Sequence, residues 1–251
     1  NEVKKKSSFF NKFQKNSVIS LFFENSPEFI ISYLGILKSA CIAHIIPPNI
    51  SVNNLHEQIS ATNPVSIITS NELFSKLSII DNPTIEKIVY SEIKSNLNEE
   101  RKADELDYAY LIYTSGTTSK AKGVPITHQN SVFTTNNIVK MLKYHSSDVD
   151  ILPLPLSHSF GLGCLHTSIF VGSTLILHKN MINTEEIFSS INEYSATTFA
   201  AVPSSLTKLI KNQLSETTSV FKDLRLIMTN STSIPPNTIK QFKKILKNGI
   251  I

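Results

Sequence analysis

What constrains this chain most is the order of its apolar runs. VISLFF (18–23), CIAHII (41–46), VSIIT (65–69), KIVY (87–90), AYLIYT (109–114), DILPL (150–154), TLILH (174–178), TTFAAV (197–202) and LRLIM (224–228) are short and mostly rich in β-branched or aromatic residues. Many are separated by segments with helical apolar spacing. Strands alternating with helices are joined by right-handed crossovers. The pattern therefore predicts an α/β protein of mostly parallel sheets with helices on both faces. Local signals agree. Ser26, Pro27 and Glu28 supply an N-cap, a first-turn proline and a first-turn acid, and the helix they open keeps Ile30, Tyr33, Leu34 and Leu37 on one face. Ser51 caps the next helix, which carries Leu55 and Ile59, and 185–194 and 238–246 read as helices further on. The polar stretch 94–106 has no apolar period and reads as a linker or exposed connection. It divides the chain into a first βα subdomain, 1–93, and a second, 107–251.

Composition narrows the class. At 251 residues, 41% hydrophobic and 18% charged, the chain has the balance of a globular protein rather than a disordered or coiled-coil one. Cys41 and Cys164 are its two cysteines, too few for a disulfide framework or a four-ligand zinc site. No histidine spacing suggests a metal, so no protein-built metal site is expected, and a reducing cytoplasm fits best. A net charge of +4 does not make a nucleic-acid protein. The run Lys4, Lys5, Lys6, with Lys12 and Lys15 behind it, reads as a solvated, partly disordered arm. No apolar run approaches the ~18 residues of a membrane span. The chain starts on Asn1 and ends on Gly249, Ile250, Ile251, and both ends read as cut.

Glycine is scarce, 7 of 251 residues, so places where glycines gather point to backbone that needs them. One such place follows the strand AYLIYT. Thr114, Ser115, Gly116, Thr117, Thr118, Ser119, Lys120, Ala121, Lys122 and Gly123 combine hydroxyls, glycines and lysines in a single loop. Glycine lets backbone N–H groups turn toward an anion, hydroxyls donate to phosphate oxygens, and ammonium groups neutralise charge. The bland alternative is a solvated Ser/Thr-rich turn. A Walker A loop is excluded: counting from Gly116, Ala121 occupies the place of the second glycine and Gly123 that of the magnesium-binding hydroxyl.

The loop, YTSGTTSKAKGV over residues 113–124, resembles the phosphate loop of the adenylate-forming superfamily, the acyl-CoA synthetases, luciferases and peptide-synthetase adenylation domains, whose pattern is roughly YTSGTTGxPKGV. The resemblance extends in family order from Val18 to about Leu246. ENSPEFIISYLGILK resembles the family's early segment, LPLSHSFGLG (154–163) its LPLFHxFG motif, and LRLIMTNSTSIPPNTIKQF (224–242) its LRxxxSGGAPLPPEL stretch.

The resemblance implies activation of a carboxylic acid by ATP to an acyl-adenylate, then transfer to a thiol, coenzyme A or phosphopantetheine. Thr114, Ser115, Gly116, Thr117 and Thr118 would hold the nucleotide phosphates, with Thr118 also counted among the catalytic groups. Lys122 would supply positive charge, and Mg2+ would accompany ATP. His158 would lie near the reacting carboxylate, in a role of orientation and electrostatics; without the family it reads as a helix-start histidine bonded to backbone. Asn230, Ser231 and Thr232 fall where the family packs adenine against close backbone. Adenylation domains for amino acids commonly carry an Asp at the second motif, to pair with the substrate ammonium. LSHSFG has none, which favours an acid without an α-amino group. Phe160, Leu162, Cys164 and 199–202 are candidate pocket walls. An acyl carrier protein is a possible partner.

Departures qualify the resemblance. Ser119 replaces a glycine, Ala121 a proline, and Asn230 and Ser231 stand where the family has glycines. The family's later ribose-binding Asp, its hinge and its C-terminal lid domain with a catalytic lysine do not occur within these residues. The chain thus reads as an N-terminal fragment, inactive alone, of an AMP-forming acid–thiol ligase. The alternative is a catalytically degenerate homologue that binds nucleotide or a carrier protein.

Overall fold

The computed structural model describes residues 2–94, 101–114, 121–212, 219–246 and 249–251. The chain divides into two compact units, Asn1–Phe133 and Thr134–Ile251.

The first unit runs α1 (Glu2–Phe10), β1 (Val18–Phe22), α2 (Pro27–Lys38), β2 (Ile42–Ile46), α3 (Val52–Thr62), β3 (Ser66–Thr69), a short α4 (Asn71–Phe74), β4 (Glu86–Val89), β5 (Tyr108–Thr114), β6 (Lys122–Thr127) and the start of α5 (His128–Leu142). Its sheet has the order β4-β3-β1-β2-β5-β6. Every pair is parallel except β5–β6. The inner strands are covered on both faces, which is why Ile19, Leu21, Ala43, Ile45, Ile67 and Ile68 are all buried and the runs read as continuously apolar. Helix starts follow the sequence signals. Ser26 Oγ accepts from the Phe29 amide at 3.2 Å with Pro27 in the first turn, and Ser51 Oγ accepts from the Asn54 amide at 3.4 Å. Leu55 and Ile59 of α3 pack with Phe22, Ile46 and Ile67 on one face of the sheet.

The structure differs from two of these expectations. The lysine-rich N-terminus is helix α1, because Phe10 is fully buried against Gly35 of α2, where an added Cβ would meet its ring at 3.0 Å. Its lysines are partnered: Lys6 donates to the Ile93 carbonyl, Lys12 pairs with Glu86 at 2.7 Å, and Lys15 pairs with Asp104 at 2.9 Å and Asp107 at 3.0 Å. The division of the chain also falls at 133/134 rather than across 94–106, because β5 and β6 extend the first sheet. Within 94–106, Arg101 donates to the carbonyls of Asn11 and Phe13, which ties that connection to the first unit.

The second unit continues with β7 (Val149–Leu152), α6 (Ser159–Val171), β8 (Thr174–Leu177), α7 (Thr184–Glu193), β9 (Thr198–Ala200), α8 (Pro203–Asn212), β10 (Leu226–Met228) and α9 (Pro236–Ile245). Its sheet, β10-β9-β7-β8, is parallel throughout, and Ile250 bridges Leu226 at the β10 edge. Phe199, Phe221 and Phe242 are fully buried and form the centre of its core, with ring centroids 5.2 and 5.9 Å from Phe221. No described helix is long and apolar enough to cross a membrane.

Candidate active site

In the first unit, β5 runs parallel to β2, and its carboxyl end is Thr114. Ligands of open α/β sheets gather beyond such strand ends. In the antiparallel β5–β6 ladder Thr114 and Lys122 are direct cross-strand partners, with Thr114 Oγ1 3.5 Å from the Lys122 carbonyl oxygen. Lys122 is exposed. Ser115, Gly116, Thr117 and Thr118 lie outside the described residues. Thr114 and Lys122 are therefore the expected phosphate-loop residues that the fold brings together, as neighbours across the ladder.

In the second unit, His158 is the N-cap residue of α6, in extended conformation and with no side-chain cap hydrogen bond. Its backbone amide donates to the Pro155 carbonyl at 3.1 Å, and its own carbonyl accepts from Leu162 at 2.9 Å. The side chain stays exposed, and partial desolvation holds its pKa below the usual value, so the ring is mainly neutral at pH 7. Gly161 allows this entry: a Cβ there would stand 2.3 Å from the Pro155 carbonyl oxygen, which no other residue tolerates without moving the turn.

Beside α6 lies a cavity of about 360 Å3. Phe160 and Cys164 of α6, Leu142 of α5, Met228 of β10 and Asn230 just beyond it are among its walls, and no charged side chain lines it among the described residues. Burial pushes the Cys164 thiol up to about 12, so it is an apolar wall rather than a nucleophile. The other expected walls are elsewhere: Leu162, Phe199, Ala200 and Ala201 are buried in the core, and Val202 is not among the lining residues. Asn230 Oδ1 accepts from the Ser231 amide at 2.7 Å, and Ser231 adopts a left-handed φ of 86°. Ser231 and Thr232 are exposed and do not line the cavity. Sequence reasoning missed Leu142 and Met228. The place of Met228 at a strand's carboxyl end was a usable signal, whereas nothing in α5 marked Leu142.

Among the described residues, no group of three or more His, Cys, Asp or Glu side chains could hold a metal ion.

The AMP-binding enzyme family model matches residues 3–251. The 4-coumarate–CoA ligase-like 6 of Arabidopsis thaliana is 26% identical over 259 residues, covering 93% of this chain and 45% of that protein. The 2-succinylbenzoate–CoA ligase of Bacillus subtilis (strain 168) is 33% identical over 127 residues, covering 51% of this chain and 25% of that protein. Among solved structures, o-succinylbenzoate CoA synthetase (MenE) from Bacillus subtilis, in complex with an acyl-adenylate intermediate, superposes with a TM-score of 0.86 at 22% identity, covering 97% of this chain and 50% of that one. The chain spans about half the length of the curated relatives it matches over most of its own length.

Proposed function

Because the chain belongs to the AMP-binding enzyme family, we propose that it carries the phosphate-binding and acid-binding parts of an AMP-forming acid–CoA ligase. A carboxylate oxygen of the substrate attacks the α-phosphorus of ATP. The new P–O bond forms as the bond to the bridging oxygen breaks, and pyrophosphate leaves. A thiolate sulfur then attacks the acyl carbon and AMP departs. The acceptor is coenzyme A, in keeping with the names of the relatives, or a phosphopantetheine arm on a carrier protein.

The observation that carries this reading is the pairing of Thr114 with Lys122 across the stem of a loop with the family's phosphate-binding sequence. Lys122 offsets the charge that builds as pyrophosphate leaves, and the Thr114 hydroxyl donates to a phosphate oxygen. Ser115, Gly116, Thr117 and Thr118 share that cradle on the strength of the motif, and Asn230, Ser231 and Thr232 flank the adenine on the same ground. His158, neutral and exposed, is suited to orienting the reacting carboxylate by hydrogen bonding rather than by charge. The described residues do not fit a protein-built metal site, so Mg2+ would arrive with the nucleotide phosphates.

The walls of the cavity favour an acid with an uncharged apolar body. Among the described residues that line it, no side-chain carboxylate could pair with an α-ammonium.

The test is carboxylate-dependent ATP/pyrophosphate exchange by the full-length protein across octanoate, cinnamate and the common amino acids. Exchange with the apolar acids and none with amino acids is expected, and Lys122→Ala should lower it about 100-fold. Exchange absent with every acid would leave the degenerate binding module as the better account.

A further inference from the structure

Tyr113 and Gly123 face one another in the β5–β6 ladder, one step further from the loop than Thr114 and Lys122. Glycine inside a strand weakens it, since it brings extra backbone freedom and no side chain to pack. An aromatic ring on the opposite strand can compensate by covering the bare backbone. Tyr113 does so together with Leu111: a Cβ on Gly123 would stand 3.1 Å from Tyr113 Cζ, 3.3 Å from its hydroxyl oxygen and 3.3 Å from Leu111 Cδ1. The same ring lies against His44 of β2, with centroids 5.5 Å apart. His44 is itself anchored. It is fully buried, its Nδ1 is 2.9 Å from Ser20 Oγ on β1, and Thr62 Oγ1 of α3 is 3.4 Å from the same nitrogen.

These contacts form a continuous line from the middle of the sheet to its edge. Among the described residues β6 is the edge strand and pairs with β5 alone in the sheet, so its register depends on that one ladder and on what packs across it. The two ladder residues nearest the loop on β6 are Lys122 and Gly123. Having no side chain, Gly123 adds only its backbone pairing to holding Lys122 in place.

We propose that Tyr113 is a positioning residue: its ring, in contact with both His44 and the backbone of Gly123, locks β6 onto β5 and so fixes where the Lys122 ammonium and the Thr114 hydroxyl stand. That Lys122 and Thr114 meet a nucleotide rests on the function proposed above; that Tyr113 holds them does not.

The experiment separates the two claims. Amide hydrogen exchange over 122–127 and ATP affinity by calorimetry are measured on the full-length wild type and on Tyr113→Phe, Tyr113→Ala, Gly123→Val and the Tyr113→Ala/Gly123→Val double variant. Gly123 has no left-handed φ, so its backbone accepts a β-branched residue once the ring is gone. Tyr113→Ala should speed exchange in β6 at least about tenfold, with β1–β3 unchanged, and should weaken ATP binding about tenfold. Tyr113→Phe, which keeps the ring, should stay within about twofold of wild type in both. Gly123→Val alone should be damaging, and the double variant should recover much of the loss, because valine then covers the strand with only the flexible end of Leu111 left to give way.

Three results would overturn the proposal: wild-type exchange in Tyr113→Ala, additive losses in the double variant, or Tyr113→Phe as damaging as Tyr113→Ala. The last would assign the phenol a direct contact with ligand. If the wild type binds no ATP while Tyr113→Ala still loosens β6, the nucleotide reading fails and the positioning role stands.

Discussion

At the scale of single residues, the departures from the family pattern carry physical consequences of their own. Ser231 has a φ of 86°, a region that side-chain-bearing residues avoid, and it stands where the resembling sequences have glycine. The Asn230 side chain accepts from the Ser231 amide and so helps to hold the strained turn. Ser231→Gly should therefore leave stability unchanged or raise it by up to ~1 kcal/mol, relief of strain being partly offset by a more flexible unfolded chain. Ser231→Val should lose ~1–2 kcal/mol, since β-branching opposes that φ. Urea midpoints at constant slope decide the point, and equal midpoints for the two variants would contradict it. His44 makes a second residue-scale statement. Burial lowers its pKa to about 4, with a smaller opposing contribution from Gln58. A folded pKa below the unfolded one means that the unfolded chain takes up the proton first. The stability this histidine permits is thus full above about pH 6.5 and is lost as pH falls toward 4, by up to ~3 kcal/mol. His166 is lowered to about 4 by the same cause, so it contributes in the same direction. His44→Phe should make the decline between pH 7 and 4.5 shallower. An unchanged slope would show that His44 does not titrate with unfolding.

At the scale of elements, the second unit is tied by an ion pair that no periodicity announces. The Asp148 carboxylate, fully buried just before β7, accepts from Arg225 Nε at 2.6 Å, Thr197 Oγ1 at 2.8 Å and the His145 amide at 3.0 Å. Burial pushes its pKa up, but the Arg225 pair and the other donors outweigh that and hold it below the usual carboxylate range. Arg225 also donates to the Leu142 carbonyl at 3.2 Å, so one guanidinium joins the end of α5 and the starts of β7 and β10. Arg225→Ala would leave a buried charge without its partner and should cost ~3 kcal/mol or more. Arg225→Lys should recover little, because an ammonium cannot replace the two-pronged contact. Asp148→Asn combined with Arg225→Met should recover most of the loss; chemical denaturation of all three measures this, and a double variant as unstable as Arg225→Ala would refute the argument. Elements of this kind separate what the sequence declares from what it hides. The inner strands are legible because burial on both faces leaves an unbroken apolar run, and α2 and α3 because Ser26 and Ser51 cap them. β6 is hidden, since an edge strand tolerates Pro125 and Gly123 and shows no run at all. α1 is hidden because Phe10 anchors it while three lysines in a row dominate its reading. Thr114 and Lys122 enter the candidate site from the motif alone, and their cross-strand pairing could not be read from it. The cavity wall is not legible either, since only register decides that Met228 meets the cavity while Phe199 on the neighbouring strand faces the core.

At the scale of the whole chain, each unit has its own sheet, its own crossovers and its own buried cluster. The first is centred on β1, flanked on both sides by parallel neighbours. The second is centred on β7 and β9, with Phe199, Phe221 and Phe242 beneath them. A sheet buries its apolar surface cooperatively with the helices that cover it, so the unit of unfolding is a sheet and its layers rather than the chain. Native-state hydrogen exchange in increasing denaturant should therefore resolve two sets of slow amides, β1–β3 in one and β7 with β9 in the other. Each set should merge onto its own isotherm. The edge strands β4, β6 and β8, hydrogen-bonded on one side only, should exchange earlier than the centre of their own sheet. Thermal unfolding followed by near-ultraviolet tyrosine signals and by far-ultraviolet ellipticity should then fail to coincide. The two sets of tyrosines differ: Tyr33, Tyr90, Tyr108, Tyr110 and Tyr113 report the first unit, and Tyr144 and Tyr194 the second. A single isotherm shared by the slowest amides of both sheets would mean that the two cores open as one. In that case the strain at Ser231 and the clamp at Arg225, both in the second unit, would alter exchange in β1–β3 as strongly as in β7. The Arg225→Lys variant tests that directly: independent units predict faster exchange in β7, β9 and β10, with β1–β3 left at the wild-type rate.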